Sequence, residues 1–84
     1  MTTAVRTATA VGYFRVSGQD QAGDLHNSLE AQKSEFDNFC KLHLLLPVNT
    51  FTDIFSGKRD DRREYRKMLA YVASEGVDTI VVTF

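Results

Sequence analysis

The sequence predicts an α/β fold, three layers deep around a parallel sheet. Three strand-like stretches, ATAVGYFRVS (8–17), VNTFTD (48–53) and DTIVVTF (78–84), are separated by two stretches of helical periodicity. A β-α-β-α-β alternation of this kind implies a parallel sheet with right-handed crossovers and helices packed on it.

The first strand carries apolar and β-branched residues up to Ser17. Alternation puts Val11, Tyr13, Arg15 and Ser17 on one face and Gly12, Phe14 and Val16 on the other. The polar stretch GQDQAGDLHN that follows has the composition of a loop. Asn27 and Glu30 form a capping-box variant, and Leu29, Phe36, Phe39, Cys40 and Leu44 recur at helical spacing, so the first helix is expected from Asn27 to about Leu45. Gln32 falls within that apolar stripe, where a polar side chain needs a hydrogen-bonding reason.

Pro47 is expected to stop the helix and lead into the second strand. After the loop IFSGKRDD, Asp61 and Glu64 make a second capping-box pair, and Tyr65, Met68, Leu69, Val72 and Ala73 form an apolar face closed by Gly76. The last strand is apolar on both faces, as expected of a central strand. Neither an internal repeat nor a linker interrupts the pattern, so residues 1–84 read as one unit, the first eight as a frayed tail.

A chain of 84 residues makes at most one small domain of marginal stability. A net charge of −1 excludes a global basic signal, so a nucleic-acid partner must be argued from local clusters. One cysteine, Cys40, cannot form an internal disulfide and is expected in the core; the two histidines are scattered, so no metal site is expected. His43 is expected on or near the apolar face. No signal peptide or membrane span can be read, which places the protein in the cytoplasm.

In open parallel sheets, sites form beyond the carboxyl ends of the strands. Arg15, Ser17, Asp53 and the loop with Lys58, Arg59, Arg62 and Arg63 all fall at that rim. A serine among arginines, with no histidine to activate it, points to phosphate chemistry more than to acyl transfer. Ser17 is then the candidate nucleophile, Arg15 a phosphate ligand, and Arg62 a cation beside a helix amino terminus. The competing interpretation is plain: Ser17 ends a strand, RDDRREYRK is a solvated helix start, Gln32 is a satisfied edge residue, and Tyr13 and Phe14 simply pack. A G-x-S-x-G elbow and a G-x-x-x-x-G-K-[ST] loop are both absent, which disfavours a serine hydrolase and a P-loop enzyme. Asp53 stands too nearly alone for a phosphoacceptor module.

In order, the segments YFRVSGQDQ, SLEAQ, FTDIFSGKRDDRREYRKML and GVDTIVV resemble the amino-terminal catalytic domain of serine recombinases, the resolvase/invertase family, from about Val11 to Phe84. The long loop before SLEAQ is more similar to the large serine recombinases and related transposases. The resemblance implies that Ser17 attacks a DNA phosphodiester to give a 5′-phosphoserine link and a 3′-hydroxyl. It further implies that Arg15 and Arg62 bind the phosphate and that Gln32 lies by the active site. No metal or nucleotide cofactor is implied, since the covalent link conserves the bond energy. DNA is the implied partner through a full-length parent, and homo-oligomers are implied for that parent.

Relatives continue into a D-R-L-x-R motif, a dimerisation helix and a DNA-binding domain. These 84 residues are therefore expected to be an incomplete catalytic domain, inactive or nearly so alone. The alternative is a non-catalytic remnant or interaction module, and a third possibility is an unrelated phosphate-binding module.

Overall fold

The computed structural model describes residues 7–17, 22–55 and 62–83, with the backbone alone at Ser17, 22–28 and Phe55. Five elements follow in the expected order: β1 (Thr9–Ser17), α1 (Ala22–Leu42), β2 (Leu46–Phe55), α2 (Arg63–Glu75) and β3 (Thr79–Thr83). The expected tail lies outside the described residues up to residue 6, whereas Ala8 is tied in by the Leu46 N–H, which donates to its carbonyl at 2.8 Å.

The sheet is parallel throughout, in the order β2-β1-β3. From β1 the chain steps one way to β2, then returns across β1 to reach β3. Connections of one handedness running in opposite directions put their helices on opposite faces, and the packing obeys this. Ala10, Phe14, Phe36, Cys40 and Val81 form a core under α1, and Val11, Tyr13 and Met68 form another under α2. Three layers result.

β1, not β3, is the central strand, contrary to the sequence expectation. Ala10, Val11 and Phe14 have no exposed surface, while Ile80 and Val82 on β3 remain 37% and 49% exposed. The cause is the placement of α2, whose contacts are to β2 and β1, so that it leaves that face of β3 open.

Helix α1 starts at Ala22, five residues before the expected Asn27 cap, and so takes in part of the stretch read as a loop. Once an amphipathic segment is nucleated and packed, adding residues in front of it costs little. It also ends earlier than Leu45. Leu44 adopts the left-handed conformation (φ 57°) and the Leu45 N–H donates to the Cys40 carbonyl at 2.8 Å, a Schellman-type close made without glycine. Leu45 then packs on the core that includes Cys40. His43 is exposed against Phe39, not on the core, and Phe39 itself is 40% exposed. The chain has already turned away there.

Pro47 therefore does not stop the helix; it lies inside β2. It is tolerated because β2 is an edge strand and because the register slips beside it, with Ala10 opposite Pro47 and Val11 opposite Asn49. On β1, Gly12 lies in close approach to two rings: a Cβ there would sit 3.0 Å from both Phe14 and Phe36 ring atoms. Gly76 closes α2 in the left-handed conformation (φ 66°), as expected.

Candidate active site

The carboxyl ends of β1 and β2 carry the rim. Arg15 lies directly opposite Asp53 in the register, and both stand on the face covered by α2 with Tyr13 and Phe51. Asp53 is buried. Its Oδ2 accepts the Tyr13 hydroxyl at 2.6 Å and the Tyr65 N–H at 3.0 Å, and its Oδ1 accepts the Glu64 N–H at 2.9 Å. Those two N–H groups belong to the first turn of α2, so Asp53 performs the work of a helix cap from another strand.

The Glu64 N–H, which the expected Asp61–Glu64 capping box would use, is taken by Asp53. Asp61 lies outside the described residues, and Glu64 instead pairs with Lys67 at 3.1 Å. The N-cap position belongs to Arg62, in the left-handed conformation (φ 52°, ψ 44°), with no side-chain cap of its own. Its guanidinium lies 5.6 Å from the centre of the Tyr65 ring, a cation–π distance.

Tyr13 and Asp53 shift each other's ionisation. Burial, then the hydrogen bond to Asp53, then its charge raise the Tyr13 phenol far above its ordinary value, against the opposing pull of Arg15 and Arg62. For Asp53, burial alone would raise the carboxyl, but the Tyr13 hydroxyl, the Glu64 and Tyr65 N–H groups and the Arg15 charge outweigh it and hold it below the usual carboxylate range.

On the other side of the sheet, Gln32 is buried and meets the backbone of Arg15. The Arg15 N–H donates to Gln32 Oε1 and Gln32 Nε2 donates to the Arg15 carbonyl, each at 3.2 Å, while the Thr83 hydroxyl donates to Oε1 at 3.3 Å. The last β1–β3 pair is Phe14 with Thr83. One side-chain amide so extends the ladder by a residue beyond it, which is the hydrogen-bonding reason the apolar stripe demanded.

Of the four candidates, the structure thus brings Arg15 and Gln32 into direct contact and sets Arg62 at the start of α2 beside Tyr65. Ser17 ends β1 opposite Phe55 in the backbone register; its side chain, like Lys58 and Arg59, lies outside the described residues. Asp53 and Tyr13 were underrated from sequence. The available signal was a carboxylate and a phenol on the α2 face of adjacent strands, two positions apart in register. Among the described residues, no group of histidine, cysteine, aspartate and glutamate could hold a metal ion.

A family model described as the resolvase N-terminal domain matches residues 10–84. The chain belongs to the resolvase N-terminal domain family. This is the catalytic-domain family of the serine recombinases, whose general activity is DNA recombination. The resolvase match runs from the second residue of β1 through the other four elements. No curated protein and no solved structure is similar enough to add to that match. No helix among the described residues of this resolvase-family chain is long and apolar enough to cross a membrane.

Proposed function

We propose that this chain is the amino-terminal part of a recombinase catalytic domain and that Ser17 is its nucleophile. The Ser17 hydroxyl oxygen attacks a DNA phosphodiester; the 3′-oxygen leaves as a hydroxyl, and the 5′-phosphate remains on the serine. Attack of that 3′-hydroxyl, or one from another strand, on the phosphoserine reverses the step and rejoins DNA. Neither direction consumes a cofactor.

The observation that carries this proposal is the arrangement of the rim: Arg15 stands opposite Asp53, two residues before Ser17, and the same Asp53 caps the first turn of the helix that Arg62 precedes. Two guanidinium groups so placed suit the oxygens of one phosphate and the negative charge that grows on them during transfer. Gln32 serves by holding the Arg15 backbone through two hydrogen bonds. Each preorganised donor in such a site is typically worth about 10²- to 10³-fold in rate. Loss of either Arg15 or Arg62 is therefore expected to slow cleavage by about that factor.

The switch point of the sheet, between β1 and β3, favours the same edge for a ligand. DNA is the proposed substrate, with the cytoplasm as the proposed compartment and a homo-oligomer as the proposed working form. The test is a recombination assay in a complete recombinase carrying this domain, comparing wild type with Ser17→Ala. Loss of strand cleavage by the variant, with folding retained, is expected; unchanged recombination would refute the assignment.

A further inference from the structure

We propose that Asp53 is a positioning residue that fixes Arg62 relative to Arg15, so that the two arginines form one phosphate grip. The proposal rests on the phosphate role given above to both arginines. Asp53 is the point where three elements meet: it belongs to β2, accepts the Tyr13 hydroxyl from β1, and accepts two N–H groups from the first turn of α2.

Arg62 depends on that junction. It precedes the capped turn directly, holds a left-handed backbone that costs a non-glycine residue free energy, and has no side-chain cap of its own. Its carbonyl accepts the Arg66 N–H at 3.1 Å, so it is tied to α2 rather than to β1. A left-handed arginine persists only where its surroundings determine it, and Asp53 supplies the anchoring bonds one turn ahead. Tyr13 supports this twice, through its hydroxyl on Asp53 and through its ring, edge-on to Tyr65 at 5.2 Å, while Tyr65 carries the Arg62 guanidinium.

A carboxylate with a merely stabilising role would, when replaced in a chain that still folds, leave both arginines where they are. The experiment follows the Arg15 and Arg62 side-chain Nε–H signals of this chain by NMR, in wild type and Asp53→Asn, first without ligand and then with inorganic phosphate. Asn keeps the shape but accepts fewer hydrogen bonds. In the ligand-free variant the Arg62–Tyr65 ring contacts are expected to be lost while the Tyr13–Met68 core contacts persist. With phosphate, the Arg62 response is expected to disappear and the Arg15 response to remain.

An unchanged Arg62 in the folded variant overturns the proposal, as does a displaced Arg62 with an unchanged phosphate response. Should Asp53→Asn not fold, Tyr13→Phe removes one of the three bonds and keeps the ring; a partial loss of the Arg62–Tyr65 contacts supports the proposal and none contradicts it. Absence of any wild-type response to phosphate is a different failure. It overturns the reading of the rim as a phosphate site, while the ligand-free spectra still decide whether Asp53 holds Arg62.

Discussion

The Tyr13 hydroxyl and the Asp53 carboxylate are joined by a 2.6 Å hydrogen bond between the central and edge strands, buried beneath the first turn of α2. Because its hydrogen bonds and the Arg15 charge outweigh burial, Asp53 ionises in the folded chain below the ordinary carboxylate value of about 3.9. A depressed folded pKa contributes stability that is present above the unfolded value and lost as pH falls through the folded one. Urea unfolding at a series of pH values below about 5 is therefore expected to show wild type losing stability more steeply than Asp53→Asn. Parallel slopes would contradict the inferred ionisation.

Tyr13 is shifted the other way, by burial first and by Asp53 second. A raised folded pKa contributes stability below the unfolded value of about 10 that is lost as pH rises towards the folded one. The difference in phenolate absorbance between wild type and Tyr13→Phe is expected to stay flat through the pH range where a free tyrosine ionises, and to rise only as the chain unfolds. Ordinary ionisation of Tyr13 in the folded chain would show the bond to Asp53 to be absent.

Gln32→Ala leaves the Arg15 N–H and carbonyl without their partner amide beyond the β1–β3 pairing. Leaving buried backbone groups unsatisfied costs about 1–3 kcal/mol. Chemical denaturation is expected to show a loss of that size, with faster hydrogen exchange at the Arg15 amide. An Arg15 amide as protected as in wild type would contradict the backbone role.

Gly12→Ala is expected to destabilise the chain by about 1–3 kcal/mol, the usual range for overpacking a core. The added methyl would meet the Phe14 and Phe36 rings at 3.0 Å, and both rings are buried against α1. Thermal unfolding checks this, and an unchanged midpoint would mean that the rings have room to move.

Much of this arrangement was legible in the sequence because it follows from periodicity. Alternation assigned Tyr13 and Arg15 to one face and Phe14 to the other, and helical spacing found Phe36, Cys40 and Met68 in the two cores. The polar Gln32 in an apolar stripe announced a hydrogen bond without naming its partner. What periodicity could not supply were contacts made across elements. The N–H groups of Glu64 and Tyr65 at the start of α2 are taken by Asp53, distant in sequence, because the parallel register carries β2 to that turn. Likewise β3 is apolar on both faces, yet the strand order sets β1 between β2 and β3, and α2 leaves one face of β3 open.

The most direct test of the central claim replaces Ser17 by cysteine and measures the pH dependence of its alkylation. Cys40 gives a slow background, since it is buried and its thiol is pushed up by burial and by the Asp37 charge. Flanking guanidinium groups favour a thiolate. In Ser17→Cys the new thiol is expected to react as a group ionising below the ordinary value of about 8.5, and adding Arg62→Gln is expected to raise that value. A thiol that titrates at the ordinary value, indifferent to Arg62, would contradict the proposal that Ser17 works beside Arg15 and Arg62.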